Sequence, residues 1–276
     1  MDSEIRSGGA EAGMHKSEIA WASHQLVERG FVVLDGVPAA TMHEARQSVL
    51  DNAHLLRNTR PNPSSGHLAG FHRYPSLEHL HSLVSSNPVV LDVLKEASGC
   101  SLMRSIGLSD ITVNRSQHWH VDLLRGKYQP YLQPETCWGP DGGGVYKVLL
   151  YLQPGATLRV LPGAHKKPRE LDNDRKSEPD SADDSVGVDV TAGGIVLMDL
   201  RLPHRGSSEA ELANPDFART PKILISTVLG GVGKPLTDAM EKGNFERLLD
   251  WDALHGSCAS PKLASQTEPI ELAARY

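Results

Sequence analysis

Two histidines and an aspartate are the residues most able to do chemistry. His120-Val121-Asp122 lies inside the strand-like run Gln117-His118-Trp119-His120-Val121-Asp122-Leu123, and His204 follows the apolar run Ile195-Val196-Leu197-Met198-Asp199. On a strand, side chains at i and i+2 share a face, so His120 and Asp122 project together and are able to chelate one metal ion. With His204 as third ligand, two imidazoles and one carboxylate occupy one face of an octahedron. Three positions then stay open for a co-substrate and dioxygen, the arrangement of non-haem iron(II) oxygenation. No cysteine stands near, which disfavours zinc and iron–sulfur sites. The opposing reading is bland. With thirteen histidines in the chain, a His-x-Asp triplet arises easily by chance, and a surface strand or a packed imidazole also explains it.

Neighbouring residues attract weaker assignments. His118 shares the face of His120 but sits two positions further along, which favours a structural role. Trp119 points to the opposite face and reads as core. His165 caps or packs a turn. Asp199 and Arg201 precede the distal histidine and read as a pair that orients it. Arg125 and Arg205 are cations that would suit a polar or acidic substrate group.

The elements that must position these residues come in two textures. Ile19, Ala20, Ala22 and Leu26 sit at helical spacing, and Arg29-Gly30 closes that helix before the short apolar strand Phe31-Val32-Val33-Leu34. A second amphipathic helix runs from behind Pro38 to about Arg57. Residues 59 to 75, rich in proline and glycine, form a long irregular loop. Asn87-Pro88 opens a third helix, as N-cap and first residue, which Gly99 ends. From about 101 to 230 the texture becomes short β-branched and apolar runs, at 111–114, 118–123, 145–152, 157–161, 186–190, 194–199 and 222–229. Strands so spaced predict an antiparallel sandwich or barrel. The polar insertion 166–185 is a solvated loop or a lid over the site, two compatible readings. After Pro235 the chain is again helical, to about Leu254. These readings give a tail over 1–14, one β-rich domain over 15–256 and a C-terminal tail over 257–276.

Composition narrows the function classes. The chain is 39% hydrophobic and 22% charged with a net charge of −6, which describes an ordinary globular protein. It lacks the basic, aromatic-interleaved runs of a nucleic-acid binder. Cys100, Cys137 and Cys258 are odd in number and widely spaced, which argues for reduced thiols rather than a disulfide framework. The polar N-terminus lacks the build of a signal peptide, and no stretch approaches the length of a membrane span. The expectation is a cytoplasmic protein without membrane or nucleic-acid partners; its oligomeric state is left open.

Several further segments, in order along the chain, raise the metal reading above chance. They are Glu28-Arg29-Gly30-Phe31-Val32-Val33-Leu34-Asp35-Gly36-Val37, Tyr146-Lys147-Val148-Leu149-Leu150-Tyr151-Leu152, Leu158-Arg159-Val160-Leu161-Pro162-Gly163-Ala164-His165-Lys166 and Gly193-Gly194-Ile195 through His204-Arg205-Gly206. Together with the His-x-Asp pair they resemble the phytanoyl-CoA dioxygenase-like family of iron(II)/2-oxoglutarate oxygenases over about residues 24 to 230. One departure is Ala164, where the family commonly has serine.

That resemblance implies a double-stranded β-helix, the cupin-like jelly roll, mainly β with helices buttressing one sheet. It implies Fe(II) on His120, Asp122 and His204, and 2-oxoglutarate as co-substrate, consumed with O2 and released as succinate and carbon dioxide. The family holds the distal carboxylate of 2-oxoglutarate with an arginine about a dozen residues beyond the distal histidine. Arg219 and Lys222 compete for that role, and Arg219 is preferred because a planar guanidinium forks onto a carboxylate. Lys147 and Tyr146 lie on a strand that in the family lines the cofactor pocket, so either is a candidate contact. Retention of Asp122 speaks against halogenation, since related halogenases give that position to chloride. Hydroxylation, desaturation or a related C–H oxidation of a small molecule remains, with secondary metabolism the suggested setting. Two other classes stay open: a cupin-like iron enzyme that does not use 2-oxoglutarate, and a non-catalytic jelly-roll binding protein.

Overall fold

The computed structural model describes residues 14–123, 126–168, 184–215 and 220–256. The expected terminal tails, most of the 166–185 insertion, Arg125 and Arg219 therefore lie outside the described residues. Helix α1 (Lys16–Arg29) ends at Gly30, whose φ of 83° is open to glycine and whose N–H donates to Leu26 O. Strand β1 (Phe31–Leu34), helix α2 (Ala39–Asp51) and strand β2 (Gly66–Ala69) follow, then the short α3 (Ser82–Ser85) and α4 (Pro88–Ser98). The Asn87 side chain accepts the Val90 N–H and so caps α4. The β-rich part comprises β3 (Met103–Ser105), β4 (Asp110–Val113), β5 (Val145–Tyr151), β6 (Gly155–Val160), β7 (Val186–Val190), β8 (Ile195–Asp199), β9 (His204–Arg205) and β10 (Ile223–Gly231). Helices α5 (Pro134–Trp138) and α6 (Glu209–Leu212) interrupt it, and α7 (Pro235–His255) closes the described chain. Among the described residues no helix is long and apolar enough to cross a membrane.

The strands form two antiparallel sheets. The larger runs β1-β8-β5-β10-β4-β2, with β3 also on β10, and the smaller runs β7-β6-β9. Alternation along β5 divides the core. Tyr146, Val148 and Leu150 join the cluster under α1 and α4, while Leu149 and Tyr151 join Leu158, Val160, Val188 and Met198 between the sheets. With helices on one face and a second sheet on the other, β8 is buried at all five positions.

Three expectations need correction. Residues 118–123 are not a strand: they touch the sheet through one bridge, His120 to His204. A ladder would carry the Asp122 N–H to Leu202 O, but the turn closed by Leu202 N–H on Asp199 O displaces the pairing, and Asp122 N–H reaches Leu200 O at 3.3 Å. Pro203 has no N–H to extend the ladder, so β9 stays two residues long. The 59–75 loop is also more ordered than expected. It contains β2, whose glycine and alanine carry little intrinsic strand preference and which pairs along β4 residue by residue. The second helix stops at Asp51 and continues only as a single 3-10 turn, Ala53–Leu55.

Candidate metal centre

The metal pair is built by one backbone device used twice. His120 N–H donates to His204 O and His204 N–H to His120 O, both at 2.9 Å, which sets the two rings side by side, tilted at 54° with centroids 4.2 Å apart. In each histidine Nδ1 lies against the carbonyl two residues earlier, His118 O at 2.6 Å and Leu202 O at 2.9 Å. A carbonyl only accepts, so each ring carries its proton on Nδ1 and turns the Nε2 lone pair inward. Asp122 faces both: its Oδ1 is 3.5 Å from His120 Nε2 and its Oδ2 is 4.0 Å from His204 Nε2. All three residues are buried, and one donor atom from each lies within 4.8 Å of the others. Among the described residues no other group of three histidine, cysteine or acidic side chains is so placed.

The donor set fits a divalent first-row ion. Cis ligands about 2.1 Å from an octahedral ion lie about 3 Å apart, so a small closure of the carboxylate completes the face. Two neutral imidazoles and one carboxylate suit iron(II) better than soft thiophilic ions. The buried Cys137 packs in a separate apolar cluster beside Trp138 and is not part of this group.

Lys222 is the second unusual group. Its ammonium is buried and donates to Thr157 Oγ1 at 2.8 Å and Ser207 Oγ at 2.9 Å, and it lies 5.8 Å from the centre of the Tyr151 ring. Among the described residues no carboxylate bonds it, and burial pulls its pKa down to about 8. Ser207 lies three residues beyond His204, and Thr157 belongs to the strand that pairs with β9. The backbone is fixed by Asn114, which accepts the Lys222 N–H and donates its own N–H to Lys222 O. Residue type predicts Lys222; nothing in the sequence pattern singles out Thr157, Ser207 or Asn114, which the pairing of distant segments brings in.

The remaining candidates separate cleanly. Lys147 faces the space between the sheets and donates to Asp122 Oδ2 at 2.9 Å. Tyr146, the next residue back, points the other way into the helix-side core, because adjacent strand residues alternate. Asp199 and Arg201 form a two-pronged pair, and Arg201 also donates to Cys137 O, which braces the turn that carries His204. His165 packs, with Nε2 on Val27 O at 3.0 Å. Trp119 is buried with Leu161 and Ala164, His118 is exposed, and Arg205 is paired with Glu211. An open groove lined by Pro154, Gly155, Ala156 and 189–192 lies at the other end of β6 from the triad and takes no part in it.

No family model matches this sequence, and no curated protein matches it. Solved structures do. The chain is similar to the non-heme, alpha-ketoglutarate-dependent epimerase SnoN from nogalamycin biosynthesis, with TM-score 0.58 and 13% identity over 79% of this chain and 84% of that one. The corresponding carbocyclase SnoK gives TM-score 0.53 and 18% identity over 79% and 84%. The apoform of EctD from S. alaskensis gives 0.54 and 15% over 85% and 83%. At these identities the likeness establishes the architecture, a double-stranded β-helix with helices on the outer face of the larger sheet.

Proposed function

We propose that this chain is an iron(II)/2-oxoglutarate-dependent oxygenase that oxidises a small molecule in secondary metabolism, of the phytanoyl-CoA dioxygenase-like type. The observation that carries the reading is the buried triad with both Nε2 lone pairs turned toward one carboxylate. His120, Asp122 and His204 would hold the iron. Lys222, with the Thr157 and Ser207 hydroxyls, would hold the distal carboxylate of 2-oxoglutarate: a buried cation with two hydroxyls, and among the described residues no carboxylate bonded to it, is matched to an anion from outside. This role for Lys222 favours use of 2-oxoglutarate over an iron enzyme that dispenses with it, and Arg219 is not needed to supply the charge. When bound, iron(II) and 2-oxoglutarate would activate O2 for oxidation of a C–H bond, with 2-oxoglutarate oxidised to succinate and carbon dioxide. The chain's own part is to fix three ligands, hold the co-substrate and exclude bulk water from a buried site. The relatives support the co-substrate, SnoN having been solved with Fe3+ and alpha-ketoglutarate.

The test is anaerobic addition of iron(II) and then 2-oxoglutarate, read by the weak visible charge-transfer band of the chelate. Wild type gives the band and His120→Ala does not. No band in wild type, or an undiminished band in His120→Ala, rules the reading out. Succinate release across candidate metabolites then screens for the substrate.

A further inference from the structure

Lys147 is an ionisable residue in an otherwise apolar run, Val145–Tyr151, on a strand hydrogen-bonded on both sides, to β8 and to β10. It shares the inter-sheet face with Leu149 and Tyr151, where an ammonium is costly unless it is paired. Among the described residues its side-chain bond is to Asp122 Oδ2, at 2.9 Å, with the two side chains only 16% and 9% exposed. Asp122 Oδ1 is the oxygen nearer His120 Nε2.

We propose that Lys147 is a positioning residue that occupies Asp122 Oδ2, so that Asp122 gives the metal a single oxygen and a coordination position stays open for the co-substrate. The inference rests on the iron/2-oxoglutarate reading of the same site. A carboxylate with both oxygens free is able to chelate one ion through both. That would use a fourth position, and a keto acid needs two of the remaining ones while dioxygen needs another. An ammonium on Oδ2 prevents it. The same cation has two further effects of opposite sign. It competes with a divalent ion for the carboxylate, which weakens metal binding, and it offsets the charge that a dianionic co-substrate brings. Lys147 therefore gives up metal affinity in favour of co-substrate affinity. A lysine that merely stabilised the fold would support both or neither.

Lys147→Met removes the charge at similar length, and Lys147→Arg retains it. Each is compared with wild type in two titrations, after thermal melts establish that the variants are folded. Cobalt(II) is added to metal-free protein and followed by its visible d–d absorption. 2-Oxoglutarate is added anaerobically to iron(II)-loaded protein and followed by the charge-transfer band. Lys147→Met is expected to bind cobalt(II) several-fold more tightly, while its dissociation constant for 2-oxoglutarate rises about tenfold or more. Lys147→Arg is expected to stay near wild type in both. Cobalt(II) affinity that is unchanged or weaker in Lys147→Met overturns the proposal, as does unchanged 2-oxoglutarate affinity. If wild type itself gives no charge-transfer band, the oxygenase reading fails separately, and the cobalt(II) titration alone decides the role of Lys147 on the carboxylate.

Discussion

Lys222 carries a cost in the free protein that its proposed ligand would relieve. Burial lowers its pKa from 10.5 to about 8, which at about 1.4 kcal/mol per unit corresponds to roughly 3 kcal/mol against the charged form. Below pH 8 the folded and unfolded chains both hold the proton and the penalty is fully present. Between about 8 and 10.5 the folded chain gives up its proton first, so stability rises with pH through that window. Lys222→Met is expected to raise the melting temperature of the ligand-free protein near neutral pH and to abolish this rise. The same substitution is expected to weaken 2-oxoglutarate about a hundredfold, the loss of a buried charge-assisted pair, while cobalt(II) affinity stays as in wild type. In wild type, 2-oxoglutarate affinity should fall as pH passes 8, measured by charge-transfer titration; a flat profile to pH 9.5 would remove Lys222 from the anion site. The triad is legible in the sequence less by the His-x-Asp spacing, which chance also yields, than by the ordered segments around His120, Asp122 and His204 that resemble the oxygenase family. The hydroxyls beside Lys222 were not, because serine and threonine are common and only the pairing of β6 with β9 marks Thr157 and Ser207 out.

Elements whose cause is local are read well from sequence, and those made by pairing are not. The Asn87-Pro88 start and Gly99 end of α4 are written in capping chemistry, and β7 and β8 in short apolar runs bounded by turns. β2 exists because β4 offers an edge, and the 118–123 segment fails as a strand because the turn closed by Leu202 N–H on Asp199 O takes its partner out of register beyond the His120–His204 bridge. The i, i+2 logic still brings His120 and Asp122 to the same place, through one bridge and a bend. The junction of α1 and β1 shows how far such an element reaches into the site. Gly30 has φ +83°, and a Cβ there would lie 2.5 Å from His165 Nδ1 and 2.8 Å from Leu202 Cδ1; Leu202 also supplies the carbonyl that orients His204. Gly99 has a similar φ of +67° but open space around a built Cβ. Gly99→Ala should therefore cost only the left-handed backbone, about 1 kcal/mol, and Gly30→Ala roughly 2–4 kcal/mol once overpacking is added. Urea denaturation measures both. Gly30→Ala alone should also weaken cobalt(II) binding, and equal effects of the two would show that this contact does not matter.

At the scale of the whole molecule, the larger sheet is tied to its helices through buried polar clusters that respond to acid in the same direction. Asp110 of β4 accepts two hydrogen bonds from Arg247 of α7 and meets His67 Nε2 at 3.3 Å, while Arg73 pairs with Asp252 of the same helix. His81 Nε2 lies 2.9 Å from Ser109 Oγ, which in turn bonds Thr227 of β10. Burial lowers both His67 and His81 from 6.5 to about 4, and the Arg247 guanidinium, with His67 hydrogen-bonded beside it, holds the Asp110 carboxyl far below its usual range although burial opposes them. A histidine with a depressed folded pKa leaves stability intact above its unfolded value. As pH falls from about 6.5 to 4, the unfolded chain takes up the proton first, and up to roughly 3 kcal/mol is lost per group. Two such groups threaten much of a typical stability of about 5–15 kcal/mol. The apo protein is therefore expected to lose a large part of its stability between pH 6.5 and 4, beginning above the range in which ordinary carboxylates titrate. Urea midpoints taken at half-unit steps from pH 7.5 to 4 measure this. His81→Gln retains a group able to bond Ser109 but cannot titrate, so about half of the slope should vanish in that variant. If its midpoints instead track wild type at every pH, protonation of His81 is not what weakens the sheet in acid.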